Sequence, residues 1–228
     1  MKAQSEESGA RSAEGRPALR SDAERNRRRL VEAALAVFAS EGLGAPLEDI
    51  ADRAGVGIAT LYRRFPTRED LIAATYEAML AVFAETAEAA AEAPDAWSAF
   101  TGCMERMCTM QAENRGFARV MTMNLPLSAE AAKLRERAGQ SIRILVRRAQ
   151  EAGALREDFV VEDVPLLLMA NAGVLNETWS AAPHAWKRQL AYMLDAYAAG
   201  GERTRPLPAA PTRIQIHRAM WSYETQAK

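Results

Sequence analysis

Along most of the chain the large apolar residues recur every three or four positions, the spacing of one helix face rather than the alternation of a strand. Leu30, Val31, Ala34, Leu35 and Phe38 make one such stripe; Leu71, Ile72, Thr75, Tyr76, Met79, Leu80 and Phe83 make a longer one. Two short helices are expected between them. Leu47, Ile50, Ala51 and Ala54 share a face after Pro46, and Gly55 stops that helix. The next spans about 57–65 and ends at Pro66, since the residue before proline is pushed out of the helical region. The first helix is expected over about 21–40: Ser21 and Glu24 can form a capping box, and Gly42 can supply the left-handed stop. Thr67 is the expected cap of a fourth, long helix reaching about residue 93.

The rest also reads as helix: 95–112, a short piece at 115–123, 128–152 stopped by Gly153, 163–180, and 184–199 stopped by Gly200 and Gly201. No segment alternates with period two and no internal repeat occurs, so the pattern predicts an all-α fold. Four parts are expected. Residues 1–18 have almost no large apolar side chains and should form a disordered tail. Residues 19–66 are expected to form a three-helix unit, and residues 67–202 a second, larger helical domain. Residues 203–228 begin with RTRPLPAAP, a proline-rich linker, and continue into a short helix near 212–223.

Composition narrows the function mainly by exclusion. No apolar run approaches eighteen residues and the N-terminal stretch lacks the apolar core of a signal peptide, so a cytoplasmic protein without a membrane span is expected. Cys103 and Cys108 lie five apart on an expected helix, which is neither a zinc spacing nor a disulfide framework. They read as buried thiols, and no metal or cofactor is implied. The G-x-S-x-G, P-loop and H-E-x-x-H signatures are absent and His184 and His217 stand alone, so no enzyme is expected. The net charge of −1 gives no global sign of a polyanion partner. Position matters more: arginines cluster at 25–29 and at 63–68, as a localised phosphate-binding edge requires.

The motif that carries chemistry is LEDIADRAGVGIATLYRRF, residues 47–65. Two short helices joined by a glycine-containing turn make a helix-turn-helix. Ala51 sits where they cross, Gly55 takes the corner and Val56 plugs the turn. Ile58, Ala59 and Arg63 are the candidates for reading sequence, because arginine can bond guanine bidentately and Ile or Ala can touch a thymine methyl. Arg27, in the first basic cluster, is a candidate phosphate contact.

At TLYRRFPTREDL, residues 60–71, the chain resembles the TetR family of bacterial repressors, and the likeness extends from Ser21 to Tyr76 in the order and lengths of four helices. The resemblance implies that Thr60 and Tyr62 contact phosphates or base edges, that Arg63 faces the groove, that Arg68 grips a phosphate, and that Leu61 and Phe65 are core. It also implies a repressor that binds an inverted-repeat operator and lets go when a small molecule binds. Two departures stand out: Pro46 and Gly57 occupy positions where the family often has hydroxyl residues, which weakens capping and removes phosphate donors.

In the C-terminal region, residues 163–180 are apolar nearly all round, so one side must be covered by a partner. Ala170, Ala172 and Gly173 would allow close approach, and Trp186, Leu190, Met193 and Tyr197 form a stripe suited to the same contact. A homodimer through residues 163–199 is expected, in the manner of a four-helix bundle. The closing pair is similar to the SbtR-type C-terminal domain. Trp97, Phe100, Met104, Met107, Phe117 and Met121 are soft apolar side chains suited to an adaptable pocket for an apolar effector, with Asn171, Gln111 or Asn124 to orient it.

Overall fold

The computed structural model describes residues 11–114, 128–200 and 208–215, with side chains from residue 22 onward. Within them the fold is helical, and the one strand-like feature is an isolated antiparallel bridge between Leu155 and Ala198. The first helix, α1 (Arg11–Glu41), starts ten residues before the expected Ser21 boundary. Ser21 therefore lies inside it and not at its start. Residues 11–18, expected to be disordered, are helical in backbone. Residues 1–10 of the expected tail lie outside the described part.

Three helices follow at the expected places: α2 (Leu47–Ala54), α3 (Ile58–Arg64) and α4 (Arg68–Glu92). Gly55, at φ +63°, closes α2 with a Schellman pair, its own N–H going to Asp52 and that of Val56 to Ala51. Thr67 caps α4 more fully than the sequence suggested: its hydroxyl accepts from the Asp70 N–H at 3.1 Å while Asp70 accepts from the Thr67 N–H at 3.0 Å. Leu30, Ile50, Leu61 and Leu71, one from each of α1 to α4, are fully buried together and hold the N-terminal unit around a common core.

The second unit comprises α5 (Ala96–Glu113), α6 (Ala129–Glu151), α7 (Asp163–Thr178) and α8 (Ala185–Tyr197). Asp95 and Ser128 cap α5 and α6 through their side chains. The long helices α4 and α6 lie against each other; Arg137 grips Glu88 through two 2.8 Å hydrogen bonds. At the far end, the Arg148 guanidinium accepts nothing and donates to the carbonyls of Ala91, Ala93 and Pro94, where the last turn of α4 leaves its oxygens unpaired. The expected helix at 115–123 lies outside the described residues, as does all of the expected C-terminal helix except the short turn at 213–215.

Candidate nucleic-acid interface

The recognition segment is held by its buried residues and works through the others. Leu61 is fully buried and Phe65 nearly so, which fixes the rotation of α3 about its axis. That rotation leaves Ala59, Tyr62, Arg63 and Arg64 exposed; Tyr62 keeps 47% of its surface, so it is not a core residue. Thr60 is half-buried, its N–H held by the Gly57 carbonyl at 2.8 Å. Ile58 is also half-buried and packs on the core, so less of it faces outward than of Ala59. Seven residues span about 10 Å, within the roughly 12 Å width of a major groove.

Neither Pro46 nor Gly57 offers a side-chain cap to its helix, as their residue types dictate. The arginines divide by task. Arg63 is exposed and carries no ion pair among the described residues. Arg64 is drawn back to Glu24 of α1 at 3.3 Å, Arg25 pairs with Asp22 at 2.9 Å, and Arg27 lies over the Phe65 ring at 5.9 Å from its centroid. Arg27 thus braces the end of α3 against α1, at the edge of the same face.

Arg68 has an engagement that the sequence did not disclose. Its Nη1 donates to the carbonyls of Leu43 at 3.0 Å and Ala45 at 2.5 Å, tying the first turn of α4 to the α1–α2 turn. No local pattern announces this, because its partners are backbone atoms 23 and 25 residues away.

In the second unit, Phe100, Met104 and Met107 are fully buried on α5, Asn171 faces them from α7, and Trp97 is half-buried with its ring stacked on Phe100 at 5.8 Å. The aromatic run continues through Phe159, edge-on to Phe100 at 5.5 Å, to Tyr197 at 4.9 Å. Phe117, Met121 and Asn124 lie outside the described residues. Asn171 and Gln111 bond each other at 2.7 Å. A separate open crevice of about 420 Å³ lies between the end of α1 (Ala39), the end of α5 and the α7–α8 turn with Trp179 and Trp186. It touches none of the expected pocket residues. Burial holds the Cys103 and Cys108 thiols up at about 12, as expected of inert core cysteines.

The expected contact stripe on α8 is corrected in part: Trp186 and Leu190 are buried within the subunit, where α7 and α8 pack on each other, while Met193 and Tyr197 are half-buried. Ala172 of α7 is likewise buried. The side of this pair that remains open carries Leu166, Gly173 and Tyr192.

Comparison with known proteins agrees with this geometry. Residues 30–75 match the bacterial regulatory proteins of the tetR family, and residues 93–195 match the SbtR-like C-terminal domain of transcriptional regulators. A TetR transcription regulatory protein from Mycobacterium vanbaalenii is 30% identical, over 79% of this chain and 99% of that one, with a TM-score of 0.58. A TetR transcriptional regulator from Streptomyces coelicolor is 29% identical over 77% of this chain and 99% of its own, with a TM-score of 0.57. The HTH-type transcriptional regulator LuxR of Vibrio harveyi is 45% identical over 58 residues, which is 25% of this chain and 28% of that protein. The shared region there is confined to a quarter of each chain. The chain belongs to the TetR family and is a transcriptional regulator that binds DNA through its N-terminal helix-turn-helix.

Proposed function

We propose that this regulator is a cytoplasmic, non-enzymatic repressor that binds an inverted-repeat operator as a homodimer and is released by an apolar small molecule. One observation carries the reading: α3 is locked by buried Leu61 and Phe65 so that Ala59, Tyr62 and Arg63 project from a single outward edge. Tyr62, Thr60 and Arg27 anchor phosphates, Arg63 and Ala59 read base edges, and Ile58 contributes the margin of the same surface. Arg68 sets the height of this surface and meets phosphate with whatever guanidinium edge its carbonyl contacts leave.

One short helix makes few contacts, so two copies must act together, and two-fold symmetry in the protein imposes an inverted repeat on the site. The open side of α7, with Leu166 and Gly173, is suited to pairing: a Cβ placed at Gly173 would meet nothing within 4 Å. Among the described residues no helix is long and apolar enough to cross a membrane.

Release follows from the placement of α4. It starts at the α1–α2 turn, where Arg68 ties it, and ends at the Arg148 contacts beside the start of α5. A ligand among Trp97, Phe100, Met104, Met107 and Asn171 would tilt α4 as a rod and change the separation of the two reading heads. A coupling of about 1–3 kcal/mol is usual for such two-state elements. A gel-shift titration with the DNA upstream of the chain's own gene tests the reading. Salt-sensitive binding with two-fold stoichiometry is expected, and no retardation at micromolar protein would overturn it.

A further inference from the structure

Among the described residues four polar side chains are buried: Thr75, Gln111, Ser141 and Asn171. Gln111 of α5 and Asn171 of α7 meet across the α5–α7 contact and form one directed chain of hydrogen bonds. Gln111 Nε2 donates to the Leu168 carbonyl at 3.2 Å. Asn171 Nδ2 donates to Gln111 Oε1 at 2.7 Å and to the Cys108 carbonyl at 3.4 Å.

The direction of this chain is not free. Backbone carbonyls only accept, so each amide must turn its nitrogen toward them, and rotating either amide by half a turn would set oxygen against oxygen. With Nδ2 committed, Asn171 Oδ1 is forced to the other side. There it is shielded from solvent and has no donor. A buried acceptor is nearly always paired, and the rare exceptions call for a group that the chain itself does not supply.

We infer that Asn171 reads a single hydrogen-bond donor on an otherwise apolar, uncharged effector: an alcohol, a phenol or a secondary amide. The inference rests on the reading of the second unit as an effector-binding domain. Three observations narrow the class. The nearby α5 residues Met104, Met107 and Cys108 are apolar or, in the thiol's case, held neutral by burial, so the body of the ligand is apolar. The four buried polar side chains are all uncharged, so a carboxylate or phosphate would face a bare acceptor without a counter-charge. Among the described residues no donor of the chain reaches this oxygen, and Gln111 Nε2 is given to the Leu168 carbonyl instead.

The test uses paired probes on the full-length protein: decan-1-ol beside 1-methoxydecane and decanoate, and 2-naphthol beside 2-methoxynaphthalene. Affinity is read from ligand-dependent Tm, and operator release from fluorescence anisotropy. Each ether keeps the apolar body and removes only the donor. A hydroxyl probe is expected to bind about tenfold tighter than its ether, with decanoate weaker than both. Asn171→Leu is expected to erase the hydroxyl preference, bringing the ratio of hydroxyl to ether affinity to about one; the wild-type comparison decides the matter even where that variant does not fold. Ethers that bind and release operator as well as the hydroxyl probes would overturn the inference while sparing the effector reading. Failure of every probe to bind would overturn both. A ligand-bound crystal structure with only an ordered water on Asn171 Oδ1 would overturn the inference alone.

Discussion

Arg68 reaches back from the first turn of α4 to the Ala45 carbonyl at 2.5 Å, so the helix that leads to the second unit is fastened to the turn that feeds the helix-turn-helix. A charged donor on two backbone oxygens holds a loop end better than a neutral one. The same residue that resembles a phosphate grip therefore also fixes where the reading head sits. Replacing it with alanine should lower stability by about 1–2 kcal/mol in urea unfolding. It should also weaken DNA of every sequence alike. Unchanged unfolding with weakened binding would assign Arg68 to phosphate alone.

Tyr62 and Arg63 should separate anchoring from reading. Tyr62→Ala is expected to lower affinity for specific and random DNA together, whereas Arg63→Ala should cost about 1–3 kcal/mol and relax preference at one base pair per half-site. The log–log salt slope should be about −0.9 per phosphate neutralised. Selection from a randomised operator library, with wild type and Arg63→Ala side by side, checks the claim. An unaltered consensus would move the reading role elsewhere on α3.

Gly55 sits at φ +63°, and a Cβ there would stand 2.8 Å from Arg29 Nη2. The guanidinium is the far end of a flexible side chain and can move, but the backbone angle cannot. Gly55→Ala should lower stability by about 1–2 kcal/mol through backbone strain. Adding Arg29→Ala should not restore it, which thermal unfolding of the two variants would show; full rescue would make crowding the cause.

The buried thiols give a pH prediction. In the fold Cys103 and Cys108 are held at about 12, against an ordinary value of 9.0. The unfolded chain therefore loses these protons first, and stability should fall as pH rises from 9 toward 12, by up to about 1.4 kcal/mol per pH unit for each thiol. Tyr197, also raised to about 12 by burial, acts in the same direction. Below pH 8 the thiols should not contribute. Iodoacetamide should label them only on unfolding, and rapid labelling of the native protein at pH 8 would contradict this.

Pairing through α7 makes a distinct prediction. Leu166→Asp places a charge on the open side of that helix without touching the core of its own subunit, since Leu166 is 40% exposed. Sedimentation should show dimers becoming monomers with unchanged helix content. Operator affinity should then fall steeply. A dimeric variant would move the interface off this face.

Much of the fold was legible in local pattern. The stripe through Leu30, Val31, Ala34 and Phe38, the glycine stop at Gly55 and the Thr67 cap each depend on residues within a turn or two, and each appears where the sequence places it. The family resemblance rested on the same short-range features. Where local signals competed, they misled: Ser21 looks like a cap, yet the helix runs through it from Arg11.

The sequence alone determined that the described part of the chain is helical and where its helices stop, because those follow from side-chain period, proline and glycine geometry within a few residues; the buried face of α3 was implied by the family resemblance. Tertiary structure alone decided which apolar stripe meets which. Trp186 and Leu190 look suited to a partner but are spent inside the subunit. It also decided that Arg68 serves Leu43 and Ala45, that Arg148 closes the end of α4, and that Gln111 and Asn171 share one chain of hydrogen bonds across 60 residues. These pairings join groups far apart in the chain, many of them backbone oxygens that every residue carries, so no residue type at either end can announce them.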